Sequence, residues 1–248
     1  MHQFFIESRV EAPEFVWIEG EDARHIERVL RMRVGELVYI VLNHQVQWQG
    51  EIQAFDSGRV QVALVDKMPA PETEPARIIL YQGIPKSDKM DWIVQKATEL
   101  GVEEIVPVQM KRSVSRIEKK DKAEKKRTRW QRIADEAAKQ SKRLTIPRIE
   151  LAMDFKTFID DLEPNSQVLV AYEDEKHQGL HKPLLAVDPS KPIGIVVGPE
   201  GGFEAEEIDA LRAAGAEIIG LGRRILRTET ASLALIALIQ YECGDLGK

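Results

Sequence analysis

The sequence predicts an α/β protein whose C-terminal part is a mostly parallel sheet, preceded by a small β domain. Residues 76–248 alternate short apolar runs with amphipathic segments, a pattern typical of a parallel sheet covered by helices on both faces. Residues 1–68 instead alternate apolar and polar side chains, as half-buried strands do. The Pro- and acid-rich segment 68–75 is typical of a linker. We therefore place one domain at 1–70 and the other at 76–248.

The elements of the N-terminal domain follow from short periodic runs. Apolar residues at helical spacing predict a short helix over 22–30. Runs rich in β-branched residues predict strands over 38–42, 46–52 and 60–65, separated by turn-forming residues. These patterns indicate a mostly β domain.

The elements of the C-terminal domain alternate along the chain. Ser87 or Asp88 can cap a helix that Gly101 ends. The last helix is apolar almost all round, so it must be buried in the core or against another subunit. Strands are predicted at 77–83, 105–108, 167–172, 193–197 and 217–221, and helices at 88–100, 122–141, 204–214 and 230–241.

Composition is that of a globular protein that needs no disulfide. The chain has 248 residues, is 43% hydrophobic and contains a single cysteine, Cys243, so no intrachain disulfide can form. We find neither a signal peptide nor an apolar run of membrane-spanning length. No His, Cys and carboxylate cluster has metal-ligand spacing. We expect a cytoplasmic protein that uses no metal and contacts no membrane.

Charge is distributed unevenly. The net charge is −6, yet residues 111–143 hold fourteen Lys or Arg against five Asp or Glu. A basic segment on an acidic protein is typical of contact with a polyanion. The alternative, a solvated helix face, stays open on charge alone.

Two glycine-rich turns each follow an apolar strand. The first is Gly198-Pro199-Glu200-Gly201-Gly202-Phe203, which matches neither the dinucleotide fingerprint nor a phosphate loop. The second, 221–231, sets three arginines and Glu229 before an apolar helix, with Thr228 or Thr230 as candidate N-cap. Strand ends that break into glycine are common ligand sites in α/β proteins, although a turn without a ligand is the alternative. Both turns are expected to face one pocket.

These residues carry a resemblance to a known family. Val197 to Phe203, followed by Leu221-Gly222 and Ile225 to Ala231, resembles the SPOUT superfamily of knotted methyltransferases. The match is nearest to the RsmE-type 16S rRNA (uracil-N3)-methyltransferases. Further segments agree with that family and extend the resemblance over nearly the whole chain, namely 25–36, 86–91, 99–102 and 130–143.

The resemblance implies a fold and a set of ligands. The N-terminal part would be a PUA-like RNA-binding β-barrel, and the C-terminal part a homodimeric domain tied in a deep trefoil knot. The substrate would be U1498 in 16S rRNA of the small ribosomal subunit, and the methyl donor would be S-adenosylmethionine. The residues implied to hold that cofactor are Tyr172, Val197, Gly198, Pro199, Glu200, Gly201, Gly202, Leu221, Gly222, Ile225 and Leu226.

Catalytic and RNA-binding candidates follow from the chemistry. Methylation of uracil N3 requires removal of a proton and stabilisation of the resulting negative charge. We assign the charge-stabilising role to Arg227 and the proton-accepting role to Glu229, with Glu200 free to meet the positive charge of the cofactor. Basic residues expected to contact RNA are Arg9, Arg28, Arg31, Arg33, Lys111, Arg112 and Arg143.

Two other functions fit the sequence less well. A non-catalytic RNA-binding or ribosome-assembly protein could have kept the fold, but the intact glycine turns, Arg227 and Glu229 argue against it. A related enzyme could methylate the ribose 2′-OH or another base, but the N-terminal β domain and the 224–231 segment favour uridine.

Overall fold

The structure is a computed structural model that describes residues 1–70, 75–116, 120–162 and 167–247, without the side chain of Lys120. The middle of the predicted linker and residues 117–119 of the basic segment lie outside the described residues. By its contacts the chain divides into two compact units, Met1–Glu72 with Ala138–Ile146 and Thr73–Ala137 with Pro147–Lys248. The sequence division had assigned residues 138–146 to the C-terminal domain.

The N-terminal unit is built on a mixed sheet. The described strands are β1 (Gln3–Ile6), β2 (Phe15–Ile18), β3 (Leu37–Leu42), β4 (Val46–Asp56) and β5 (Arg59–Lys67), in the order β1-β3-β4-β5-β2. β1 and β3 are parallel, and the other neighbours are antiparallel. The predicted helix over 22–30 is instead α1 (Gly20–Arg24) followed by a π-helical segment, His25–Leu30. Both pack through buried Ala23 and Ile26 onto the sheet core.

The C-terminal unit holds a parallel sheet, as predicted. Its described strands are β6 (Ile78–Gly83), β7 (Glu104–Gln109), β8 (Arg148–Ile149), β9 (Met153–Asp154), β10 (Gln167–Ala171), β11 (Ile193–Val197) and β12 (Glu217–Ile219). They run in the order β12-β10-β11-β6-β7-β8, with β9 also paired to β7. β11 is buried at all five residues, which is expected of a central parallel strand.

Helices cover both faces of this sheet. They are α2 (Lys89–Glu99), α3 (Lys120–Gln140), α4 (Phe155–Asp161), α5 (His181–Ala186), α6 (Ala205–Ala213) and α7 (Thr228–Cys243). One core cluster contains Leu80 and Ile195 of the sheet with Ile236 of α7, and a second contains Val196 of the sheet with Ile208 of α6. Side chains of adjacent residues on β11 therefore enter opposite cores, as the alternation of a strand requires. The threading of the chain into a trefoil knot stays a prediction.

No helix in the described ranges has the length and apolar character needed to cross a bilayer.

The buried side chain of Gln240 in α7 forms hydrogen bonds with the backbone just before β6. The Gln240 side chain accepts a hydrogen bond from the Ala76 amide at 2.7 Å and donates to the carbonyls of Ala76 and Gly101 at 3.0 and 3.3 Å. We predict that Gln240→Leu lowers the free energy of unfolding by about 2 kcal/mol, because three backbone groups lose their buried partner. Urea denaturation of both proteins measures this loss, and an unchanged midpoint would contradict it.

Candidate functional site

A cavity of about 350 Å³ opens at the carboxyl ends of β10, β11 and β12, which are neighbouring parallel strands. This is the edge at which open α/β sheets bind ligands. Its volume is within the range of small-molecule sites. The lining residues are Lys89, Ala171, Tyr172, Glu173, Val197, Gly198, Pro199, Glu200, Gly202, Leu221, Gly222, Arg223, Arg224, Ile225, Leu226, Arg227, Thr228 and Ala231.

The first glycine-rich turn forms one wall of this cavity through close backbone contacts. A methyl group placed on Gly83 would lie 2.6 Å from the Pro199 ring, so the end of β6 and this turn touch backbone to backbone. Gly202 has φ +70° and its amide donates to the Pro199 carbonyl at 2.9 Å, which closes the turn. Glycine is required where φ is positive and where backbones meet this closely.

The second glycine-rich turn forms another wall of the cavity. Leu221 and Leu226 pack against the core, and Gly222, with φ +105°, turns the chain between them. The residues that follow Gly222 project into solvent, and the Ile225 side chain is 84% exposed. This turn is therefore fixed at both ends and exposed at its middle.

A buried hydrogen-bond network joins the first turn to α7. The Thr228 hydroxyl donates to the Gly198 carbonyl at 2.6 Å and accepts from the Gln82 amide at 2.9 Å. Ser232 donates to the Gln82 side-chain oxygen at 2.5 Å. The predicted N-cap roles of Thr228 and Thr230 are wrong: Arg227 is the N-cap, since the Thr228 side chain is used in this network instead.

Lys89, at the start of α2, links two carboxylates that belong to the two turns. Its ammonium lies 2.9 Å from Glu200 and 3.3 Å from Glu229. The Lys86 amide also donates to both Glu200 oxygens at 3.2 Å. Burial alone would raise the pKa of Glu200, but hydrogen bonds from Lys89 and from backbone amides outweigh it and hold that pKa below its usual value. The hydrogen bond to Glu200 raises the pKa of Lys89.

The cavity brings together ten of the eleven residues assigned to cofactor binding. The exception is Gly201, whose Cα faces the Arg112 side chain. Seven further lining residues were not among those implied to bind the cofactor, namely Lys89, Ala171, Glu173, Arg223, Arg224, Thr228 and Ala231. Arg223 and Arg224 could have been found from the sequence, because they lie between Gly222 and Ile225, which were both implied to bind the cofactor.

The two catalytic candidates lie differently. Arg227 lines the cavity and is exposed, and no described carboxylate contacts its guanidinium. Glu229 is not among the lining residues; its side chain is 17% exposed, and Lys89 is its ion-pair partner without hydrogen-bonding geometry. Within the described chain, no group of His, Cys, Asp and Glu could hold a metal ion.

The candidate RNA-binding residues differ in their exposure. Arg9, Arg28, Arg31 and Arg33 are exposed, and Arg143 is half-buried. Lys111 and Arg112 form ion pairs with Glu206 and Glu204 near the start of α6. Their charge is already balanced by acids within the same unit, so they contribute less to an RNA-attracting field than their exposure suggests.

Comparison with protein-family models identifies both parts of the chain. Residues 72–240 match the RNA methyltransferase domain model. Residues 18–65 match the RNA methyltransferase PUA domain model. The expected combination of a PUA domain with a methyltransferase domain is confirmed.

Curated and solved relatives cover nearly the full length. The chain is 36% identical to the ribosomal RNA small subunit methyltransferase E of Bacillus subtilis, over 98% of this chain and 97% of that protein. Identity to the protein of the same name in Aquifex aeolicus is 32%, over 96% and 99%. The crystal structure of the Neisseria gonorrhoeae enzyme of that name, bound to S-adenosyl methionine, superposes with a TM-score of 0.87 at 30% identity over 99% of both chains.

Proposed function

The chain belongs to the ribosomal RNA small subunit methyltransferase E family, and from this premise we propose that it methylates N3 of one uridine in 16S rRNA, U1498 in the family, using S-adenosylmethionine. The observation that carries the proposal is the cavity at the carboxyl ends of β10, β11 and β12, bounded by both glycine-rich turns. Support for the cofactor comes from the Neisseria relative, whose structure contains S-adenosyl methionine.

The residues around the cavity fit a cofactor of this kind. Gly222 has open space where a side chain would project, so its backbone is accessible to a ligand. Leu221 and Leu226 supply apolar surface, and Glu173 and Glu200 supply negative charge near a cationic ligand. S-adenosylmethionine, when bound, supplies an electrophilic methyl group on a positively charged sulfur.

The side chains around the cavity provide the remaining chemistry. In this proposal Arg227 stabilises the negative charge that develops on uracil O2 or O4 as the N3 proton leaves. Glu229, which lies behind the lining residues at 3.3 Å from the Lys89 ammonium, accepts that proton. Thr228 holds the Gly198 turn against α7, so the two walls keep a fixed spacing.

Transfer of labelled methyl from S-adenosylmethionine tests the proposal. The acceptors are small ribosomal subunits that lack the modification and the corresponding naked 16S rRNA, and the product is mapped by mass spectrometry. A single 3-methyluridine supports it and identifies the preferred acceptor. A ribose 2′-O-methyl group or another methylated base would overturn the assignment to N3. No transfer to either acceptor and no cofactor binding by calorimetry would favour a non-catalytic RNA-binding protein.

We also propose that the protein is a homodimer through α7. Leu238 and Tyr241, three residues apart on one face of this helix, are 44% and 62% exposed. We predict that Leu238→Glu converts the dimer to a monomer in sedimentation equilibrium, because a buried charge opposes an apolar interface. Val65→Glu, which changes an exposed valine of the N-terminal unit, is the control and should stay dimeric. A wild-type protein that sediments as a monomer would contradict this prediction.

A further inference from the structure

The exposed middle of the second glycine-rich turn has a composition that packing does not explain. We call residues 222–225 the arginine loop. Its ends are fixed, because Leu221 and Leu226 both pack against the core. Between them Arg223 and Arg224 are exposed, and Ile225 is the most exposed large apolar side chain in the described chain. The loop therefore presents one apolar side chain between two arginines and the packed Leu226 at the opening of the cavity.

The charges of the arginine loop are uncompensated. Among the described residues, no carboxylate forms an ion pair with Arg223 or Arg224. Exposed arginines at the opposite edge of the same sheet are paired, since Arg77 contacts Glu103 and Arg148 contacts Glu104. Unpaired guanidinium groups at the edge of a cavity favour an anionic partner, and phosphate accepts their hydrogen bonds in a bidentate manner.

The reaction under "Proposed function" sets a steric requirement that this loop meets. N3 lies on the base-pairing edge of uracil, so the base must leave any pair or stack before N3 can enter the cavity. Enzymes that modify bases extrude the nucleotide, and apolar side chains of nucleic-acid-binding proteins wedge between base steps. Phosphate contacts on either side then fix the position of the strand.

We propose that the arginine loop is the RNA clamp of this site, an inference that rests on the proposed function. Arg223 and Arg224 bind the phosphates that flank the target nucleotide, and Ile225 occupies the space in the stack that the extruded base leaves. Ile225 thereby acts on the RNA, although the sequence resemblance assigned it to the cofactor. The loop reaches the cavity because all its residues line the opening.

The clamp predicts separate effects on RNA and on cofactor. The double variant Arg223→Ala/Arg224→Ala should bind 16S rRNA about tenfold more weakly in filter-binding assays, and its log–log salt slope should fall by about 1.5, as for two lost phosphate contacts. Arg77→Ala/Arg148→Ala removes the same charge at the opposite edge of the sheet and should change neither quantity. The affinity for S-adenosylmethionine, measured by calorimetry, should stay within about twofold of wild type.

Ile225 is tested by truncation and by a conservative change. Ile225→Ala should lower kcat on unmodified small subunits about tenfold, because base extrusion becomes less favourable, while cofactor affinity and thermal stability are retained. Ile225→Leu should restore most of the rate. Leu185→Ala, at a residue of α5 that is 59% exposed, is the matched control and should behave as wild type.

The results separate the clamp from the proposed reaction. Weaker rRNA binding by the double arginine variant supports the clamp even if wild type transfers no methyl group, in which case only the reaction fails. Unchanged rRNA binding and salt slope overturn the clamp. If Ile225→Ala binds the cofactor tenfold more weakly but binds RNA normally, Ile225 contacts the cofactor and its proposed role as a wedge is overturned.

Discussion

Replacing Arg227 by alanine is expected to lower kcat for methyl transfer by about 10² to 10³, the effect of removing one donor to a developing oxyanion. The reason is its place at the edge of the cavity with no described carboxylate to neutralise it, so its charge is available to the uracil. The KM for the small subunit and the affinity for S-adenosylmethionine should change little, because this interaction strengthens only as N3 loses its proton.

Steady-state kinetics with labelled S-adenosylmethionine and unmodified small subunits measure this effect. Arg77→Ala, which removes an arginine near the start of β6, is the control and should keep the wild-type kcat. Arg227→Lys should recover part of the rate, since it keeps the charge without the planar donor geometry. A rise in KM with an unchanged kcat would assign Arg227 to substrate binding and remove it from the chemical step.

Replacing Lys89 by methionine is expected to lower the free energy of unfolding by about 2 kcal/mol at pH 7, because Glu200 and Glu229 lose the ammonium that they share. The pKa of Glu200 lies below its unfolded value, so its pairing stabilises the fold above the ordinary pKa of glutamate. That contribution is lost as pH falls through the lowered folded-state pKa. The raised pKa of Lys89 limits the stabilisation only in strongly alkaline solution.

Denaturation of both proteins from pH 8 down to pH 3 checks this prediction. The difference in free energy of unfolding between wild type and Lys89→Met should narrow as pH falls below the ordinary pKa of glutamate and towards the lowered folded-state pKa of Glu200. Lys96→Met is the matched control on the same helix, since the ion-pair partner of Lys96 is Glu99, three residues further along the helix. It should cost less than about 0.5 kcal/mol. A gap that is the same at every pH would show that Lys89 stabilises by packing and not by charge.

How much of the fold could be predicted depends on the length of each element. β11 was predicted because it is a short run rich in β-branched residues, and α7 because it is an apolar run too long for a strand. β8 and β9 were missed because a strand of two residues has no period. The π-helical segment His25–Leu30 was predicted as ordinary helix, since the apolar spacing of the two forms differs too little over six residues.

Residues of the site that follow local rules could be predicted from the sequence, whereas residues that depend on distant partners could not. The glycine turns could be predicted because positive φ and close backbone approach leave a signal in the residue type itself. The role of Lys89 could not be predicted, because its partners Glu200 and Glu229 follow more than a hundred residues later. A lysine at the start of a helix also has no distinctive pattern. Thr228 was predicted as a cap because capping is a local rule, and a long-range network with Gln82 overrode it.

Residues Ala138–Ile146 belong to the N-terminal unit although they are synthesised late, and this limits the order in which the protein can fold during synthesis. Gln3 in β1 is buried, and its side-chain amide donates to the Arg143 carbonyl at 2.7 Å, a partner made much later. At about 5 to 20 residues per second, several seconds separate translation of the first β-sheet from that of residues 138–146. The N-terminal unit therefore stays incomplete until synthesis has passed residue 146, more than half-way along the chain.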